Sequence, residues 1–99
     1  MFKDLDPILH SQLRLAIMSI LIRTGAAEFT QLKEETQATS GNLSVQINKL
    51  KESGYIQVEK KFKGNYPQTI CRITDLGVNK FQSYVNSLSK YINPQPPNH

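Results

Sequence analysis

The run Ser40-Gly41-Asn42-Leu43-Ser44-Val45-Gln46-Ile47-Asn48-Lys49-Leu50-Lys51-Glu52-Ser53-Gly54-Tyr55 is a helix with both of its ends written into it. Ser40 can accept hydrogen bonds from the first free backbone amides, so it is expected as the N-cap. Leu43, Ile47 and Leu50 recur at helical spacing and form one inner stripe. Gly54 suits the left-handed position that ends a helix, and Tyr55 beyond it can pack back on Leu50, the contact that accompanies a Schellman cap. With that stripe inward, about 100° per residue puts Gly41, Asn42, Val45, Asn48 and Lys49 on the outer arc, with Gln46 at its edge.

On the N-terminal side, Gln37-Ala38-Thr39 reads as a tight connection from a short helix, expected to be capped by Thr30 and to close near Thr36. Before it, Leu9, Leu13, Ala16, Ile17, Ile20 and Leu21 recur at spacings of three and four, which predicts a first helix from Ser11 to Thr24 ended by Gly25. On the C-terminal side the period changes. Ile56 and Val58 alternate with Gln57 and Glu59, a half-buried strand running to Lys61. Thr69, Cys71 and Ile73 oppose Ile70 and Arg72 in a second strand, and Lys63-Gly64-Asn65 between them holds turn residues, so a two-stranded hairpin with a basic tip is expected. Thr74 then caps a last helix with Phe81, Val85, Leu88 and Ile92 aligned and Tyr84 and Tyr91 beside them, until Pro94 interrupts. Residues 1–92 are expected to form one domain and 93–99 a disordered tail.

The 99 residues leave room for one hydrophobic core. No apolar run is long enough to span a bilayer, and Met1-Phe2-Lys3-Asp4 does not begin a secretory signal, so a cytoplasmic protein with no membrane partner is expected. Cys71 is the single cysteine. Alternating with core positions in its strand, it reads as a small buried hydrophobe rather than a redox sensor. His10 and His99 are too far from other ligands to suggest a metal, no nucleophile has a base at a meaningful spacing, and the five glycines are scattered rather than clustered around a phosphate. Neither an enzyme nor a cofactor is expected.

The formal charge is +4, and its distribution is uneven. Between Gln37 and Arg72, the cations Lys49, Lys51, Lys60, Lys61, Lys63 and Arg72 face only Glu52 and Glu59. A basic segment in an otherwise nearly neutral chain is a footprint for a polyanion, although a charge run can also be a solvated face.

Helix, short helix, turn, helix, hairpin, helix is the order of a winged helix-turn-helix, an α+β and mainly helical fold. Three stretches make the sequence similar to the MarR-like and ArsR-like winged-helix transcriptional regulators. They are Leu5-Asp6-Pro7 ahead of Arg14-Leu15, Ser40-Gly41-Asn42-Leu43-Ser44 through Lys49-Leu50-Lys51-Glu52-Ser53-Gly54-Tyr55, and Arg72-Ile73-Thr74-Asp75-Leu76-Gly77. The resemblance implies a homodimer on double-stranded DNA, with one recognition helix per half-site and a wing on the flanking backbone or minor groove.

The residues offered for that role are Thr39, Ser40, Gly41, Asn42, Val45, Gln46 and Lys49 on the helix and Lys60, Lys61, Lys63 and Asn65 on the wing. Asn and Gln amides can pair with adenine, Val45 can meet a thymine methyl, Lys49 can reach guanine or phosphate, and free amides at the helix start suit a phosphate. Arg14 reads as a structural or backbone-contacting arginine rather than a base reader. The C-terminal helix is longer than one small core needs, so Leu9, Phe81, Tyr84, Val85, Leu88, Tyr91 and Ile92 are expected at a dimer contact. No small-molecule effector is legible. The alternative function is a protein-interaction adaptor that turns the same arc and wing toward a protein.

Overall fold

In the computed structural model, which describes residues 4–92, four helices and three strands follow the order α1 (Gln12–Thr24), β1 (Ala26–Glu28), α2 (Phe29–Thr36), α3 (Ser40–Glu52), β2 (Ile56–Lys63), β3 (Tyr66–Ile73) and α4 (Asp75–Ile92). The expected tail at 93–99 lies outside the described residues. The hairpin is part of a larger sheet than the expected two strands. Gly25, at φ +78°, turns the chain so that Ala26–Glu28 pairs antiparallel with β3, giving the strand order β1-β3-β2. Three residues are too few to show an alternation, so this strand leaves no periodic signal.

The core is formed where α1, α2 and α3 meet the inner face of the sheet. Leu9, Ile17, Met18, Leu21, Leu32, Leu43, Leu50, Ile56 and Cys71 are its fully buried side chains. Leu43, Ile47 and Leu50 all point inward, as their spacing requires, and this leaves the opposite side of α3 outside the core. The caps differ from expectation in two places. Thr39, one residue before Ser40, caps α3, its Oγ1 accepting from the Asn42 amide at 3.1 Å. Glu28 rather than Thr30 precedes α2, and its side chain makes no capping bond.

The end of α3 is a Schellman motif, with the Tyr55 amide donating to the Leu50 carbonyl and the Gly54 amide donating to that of Lys51, both at 3.0 Å. Gly54 sits at φ +81°, where a Cβ would be strained. Thr74 joins this corner to α4. Its amide and hydroxyl donate to the carbonyls of Tyr55 and Gly54, while its Oγ1 accepts from the Gly77 amide at 3.0 Å. The end of α3, the base of the hairpin and the start of α4 are therefore joined by hydrogen bonds at one corner.

Candidate nucleic-acid interface

Along α3, Gly41, Asn42, Ser44, Val45, Asn48 and Lys49 are exposed, and Gln46 is half-buried. This is the expected outer arc with Ser44 added to it. At its N-terminal end Thr39 and Ser40 are exposed as well, at a helix start whose first amides have no partner within the helix. Gly41 has open space where a Cβ would stand and its φ is not positive, so nothing in the fold requires a glycine there.

Gln46 does not stand free. Its Oε1 accepts from an Nη1 hydrogen of Arg14, and its Nε2 donates to Asn42 Oδ1 at 3.0 Å. Arg14 also donates through Nε to the Ile8 carbonyl and through Nη2 to the Pro7 carbonyl. The guanidinium thus ties the segment before α1 to the face of α3, a structural role of the kind its position suggested. That segment is held a second time, by the Tyr55 hydroxyl donating to Asp6 Oδ2 at 2.6 Å.

The wing is built from β2 and β3 around Gly64-Asn65. Gly64, at φ +64°, supplies the positive φ that a type II′ turn needs at its first central residue. Residues paired across the strands share a face. Lys63 and Tyr66, with Lys61 and Gln68, project to one side, whereas Phe62 and Pro67, with Lys60 and Thr69, project to the other. The three wing lysines and Asn65 are exposed, and both faces of the tip are basic. Among the described residues the ion pair is Arg72 with Glu59, at 3.8 Å near the wing's base, and Lys49, Lys60, Lys61 and Lys63 have no carboxylate partner there. Two wing residues were missed in the sequence: Phe62 is 75% and Tyr66 78% exposed. Their signal was present, an aromatic interleaved between Lys61 and Lys63 and another beside Asn65.

The residues expected at a dimer contact separate into two groups. Leu9 and Tyr84 are buried inside the chain, and the Tyr84 hydroxyl bonds His10 Nδ1 at 2.9 Å. They offer almost no surface to a second copy in this conformation, because α4 uses Tyr84 to dock on the segment before α1. Phe81 and Leu88 pack half-buried against the core, while Val85, Tyr91 and Ile92 are exposed. Among the described residues no cluster of ligating side chains can hold a metal ion, and no helix is long and apolar enough to cross a membrane.

Wing, helix-turn-helix and their shared core define the class, a winged helix-turn-helix fold. Residues 13–92 match the family described as "Winged helix DNA-binding domain", and the chain belongs to that family. It is 33% identical over 78 residues to an uncharacterised protein of Methanocaldococcus jannaschii, covering 79% of this chain and 85% of that one. Among solved structures it is similar to a transcriptional regulator homologue from Pyrococcus horikoshii OT3, with a TM-score of 0.82, 31% identity, and coverage of 87% of this chain and 85% of that one. Its fold also matches that of overoxidised AbfR bound to DNA, with a TM-score of 0.75 at 15% identity over 85% of this chain and 61% of that one.

Proposed function

We propose that the protein is a sequence-specific regulator of transcription that binds duplex DNA as a homodimer. In this reading α3 enters the major groove and residues 60–69 lie on the flanking backbone or in the minor groove. The observation that carries it is the outer arc of α3, exposed from Gly41 to Lys49 while the opposite stripe is wholly in the core. Asn42, Val45 and Lys49 are the base-facing candidates, with Gln46 behind them. Thr39, Ser40 and the amides at the helix start suit a phosphate. Lys60, Lys61, Lys63 and Asn65 suit backbone and groove edges, and Phe62 and Tyr66 add apolar contact with the sugars. Two copies paired through α4, at the exposed Val85, Tyr91 and Ile92 and the half-buried Leu88, would set two recognition helices about 34 Å apart, one turn of the duplex.

Titration of the protein against a selected duplex at rising salt tests this. A dimer that neutralises roughly six to ten phosphates loses roughly 10³ to 10⁵ in affinity between about 50 and 200 mM salt. Lys63→Ala is expected to weaken all sequences alike, and Lys49→Ala to change the order of preference or to weaken every site. A flat salt response refutes DNA binding. The adaptor alternative draws on the exposed Phe62 and Tyr66; an acidic protein partner retained after nuclease treatment, together with that flat response, would favour it.

A further inference from the structure

Arginine has N–H donors and no acceptor, so whatever it binds must turn an acceptor toward it. At Arg14 this sets a direction that runs through three side chains. Two backbone carbonyls, of Ile8 and Pro7, hold the guanidinium in place on α1. Its Nη1 donates to Gln46, and only the oxygen of that amide can receive the hydrogen. Gln46 must therefore point its nitrogen the other way, and Nε2 meets Asn42 one turn earlier on α3. Asn42 is then obliged to accept with Oδ1. Its Nδ2, with two hydrogens, is left on the exposed side of the helix with no hydrogen bond to any described residue. The amide senses need no assumption, since each follows from the one before and the first is fixed by the guanidinium.

We infer that Arg14 and Gln46 are positioning residues that set the base preference of Asn42, turning it from an adenine reader into a guanine reader. The inference rests on the DNA-binding reading above. A free asparagine reads adenine bidentately, its oxygen accepting from N6 and its nitrogen donating to N7. Gln46 takes one of the two lone pairs of the Asn42 oxygen and turns that oxygen along the helix, so the group left to face the groove is the pair of Nδ2 donors. Guanine presents N7 and O6, two acceptors side by side, whereas adenine would set its N6 donor against the Asn42 donors. Asn42 lies in the first turn of α3, the part of a recognition helix that reaches base edges.

The experiment is selection of bound sequences from random duplex DNA by the full chain, in parallel for the wild type, Asn42→Ala and Gln46→Met. Thermal melts check that each variant is folded. Gln46→Met keeps the side-chain length and leaves both carbonyl bonds of Arg14 intact. The wild type is expected to select guanine at one position of each half-site, and Asn42→Ala to erase that preference alone. Gln46→Met releases Oδ1 and should move the same position toward adenine, changing the guanine-to-adenine ratio by at least about fivefold. The other positions and the salt dependence should stay as they were, which a merely structural role for Gln46 would not produce. Adenine at the Asn42-dependent position in the wild type, no position that depends on Asn42, or an unchanged profile in Gln46→Met overturns the relay and leaves DNA binding standing. A wild type that retains no duplex overturns the DNA-binding reading and the relay with it.

Discussion

Cys71 and Tyr55 show how burial becomes a pH dependence. Cys71 is fully buried, and loss of solvent raises its thiol pKa from 9.0 to about 11. Tyr55 rises from 10.0 to about 12, first through burial, then through its hydrogen bond to Asp6 and the charge of that carboxylate. Both groups are neutral when protonated, so the unfolded chain releases its protons at lower pH than the folded one. Their stabilisation is whole below about pH 9 and is lost as pH rises through 11 and 12. The melting temperature is expected to fall across that alkaline window, and Tyr55→Phe to flatten its upper part; a melting temperature constant to pH 12 would contradict this. At neutral pH the Cys71 thiol, protonated and enclosed, should resist alkylation until the chain unfolds. The burial of Cys71 was legible from alternation alone. The Arg14–Gln46–Asn42 relay was not, because it joins residues 32 positions apart whose encounter no local pattern encodes.

At the scale of elements, two helical glycines predict opposite outcomes for the same substitution. A Cβ at Gly77 would run into the carbonyl group of Tyr55 and press on Ile73, so Gly77→Ala should destabilise the fold by about 1–3 kcal/mol despite alanine's helix preference. At Gly41 a Cβ meets nothing within 4 Å, so Gly41→Ala should stabilise α3 by about 0.5–1 kcal/mol. If α3 approaches DNA as proposed, that same variant should bind the duplex more weakly. Denaturant titration and a binding isotherm on one sample separate the two effects, and a variant that is both more stable and equally tight would remove Gly41 from the interface. The elements themselves were readable wherever they were long. The stripe of α3, the Gly54 stop and the Thr74 cap could all be read locally, whereas β1 exists because β3 offers it an edge.

For the whole molecule, the proposed pairing of two copies is tested on α4. The exposed stripe of α4 joins Val85 to Ile92 across two turns, with half-buried Leu88 between them. Placing a charge at both ends, Val85→Glu with Ile92→Glu, should convert a dimer to a monomer in sedimentation equilibrium without lowering the melting temperature of the single domain. DNA affinity should fall with it, because each half-site is then bound alone. A wild-type chain that sediments as a monomer at the concentrations used for DNA binding would refute the paired arrangement. The periodicities in the chain were enough to establish the winged-helix order and the outward arc of α3, because buried stripes and caps are local consequences of which residues lie three, four or two apart. Three-dimensional packing settled what those patterns leave open. It took Leu9 and Tyr84 into the interior, brought Arg14 against Gln46, and left Phe62 and Tyr66 standing clear of the core, since each depends on which distant surfaces come together and which never do.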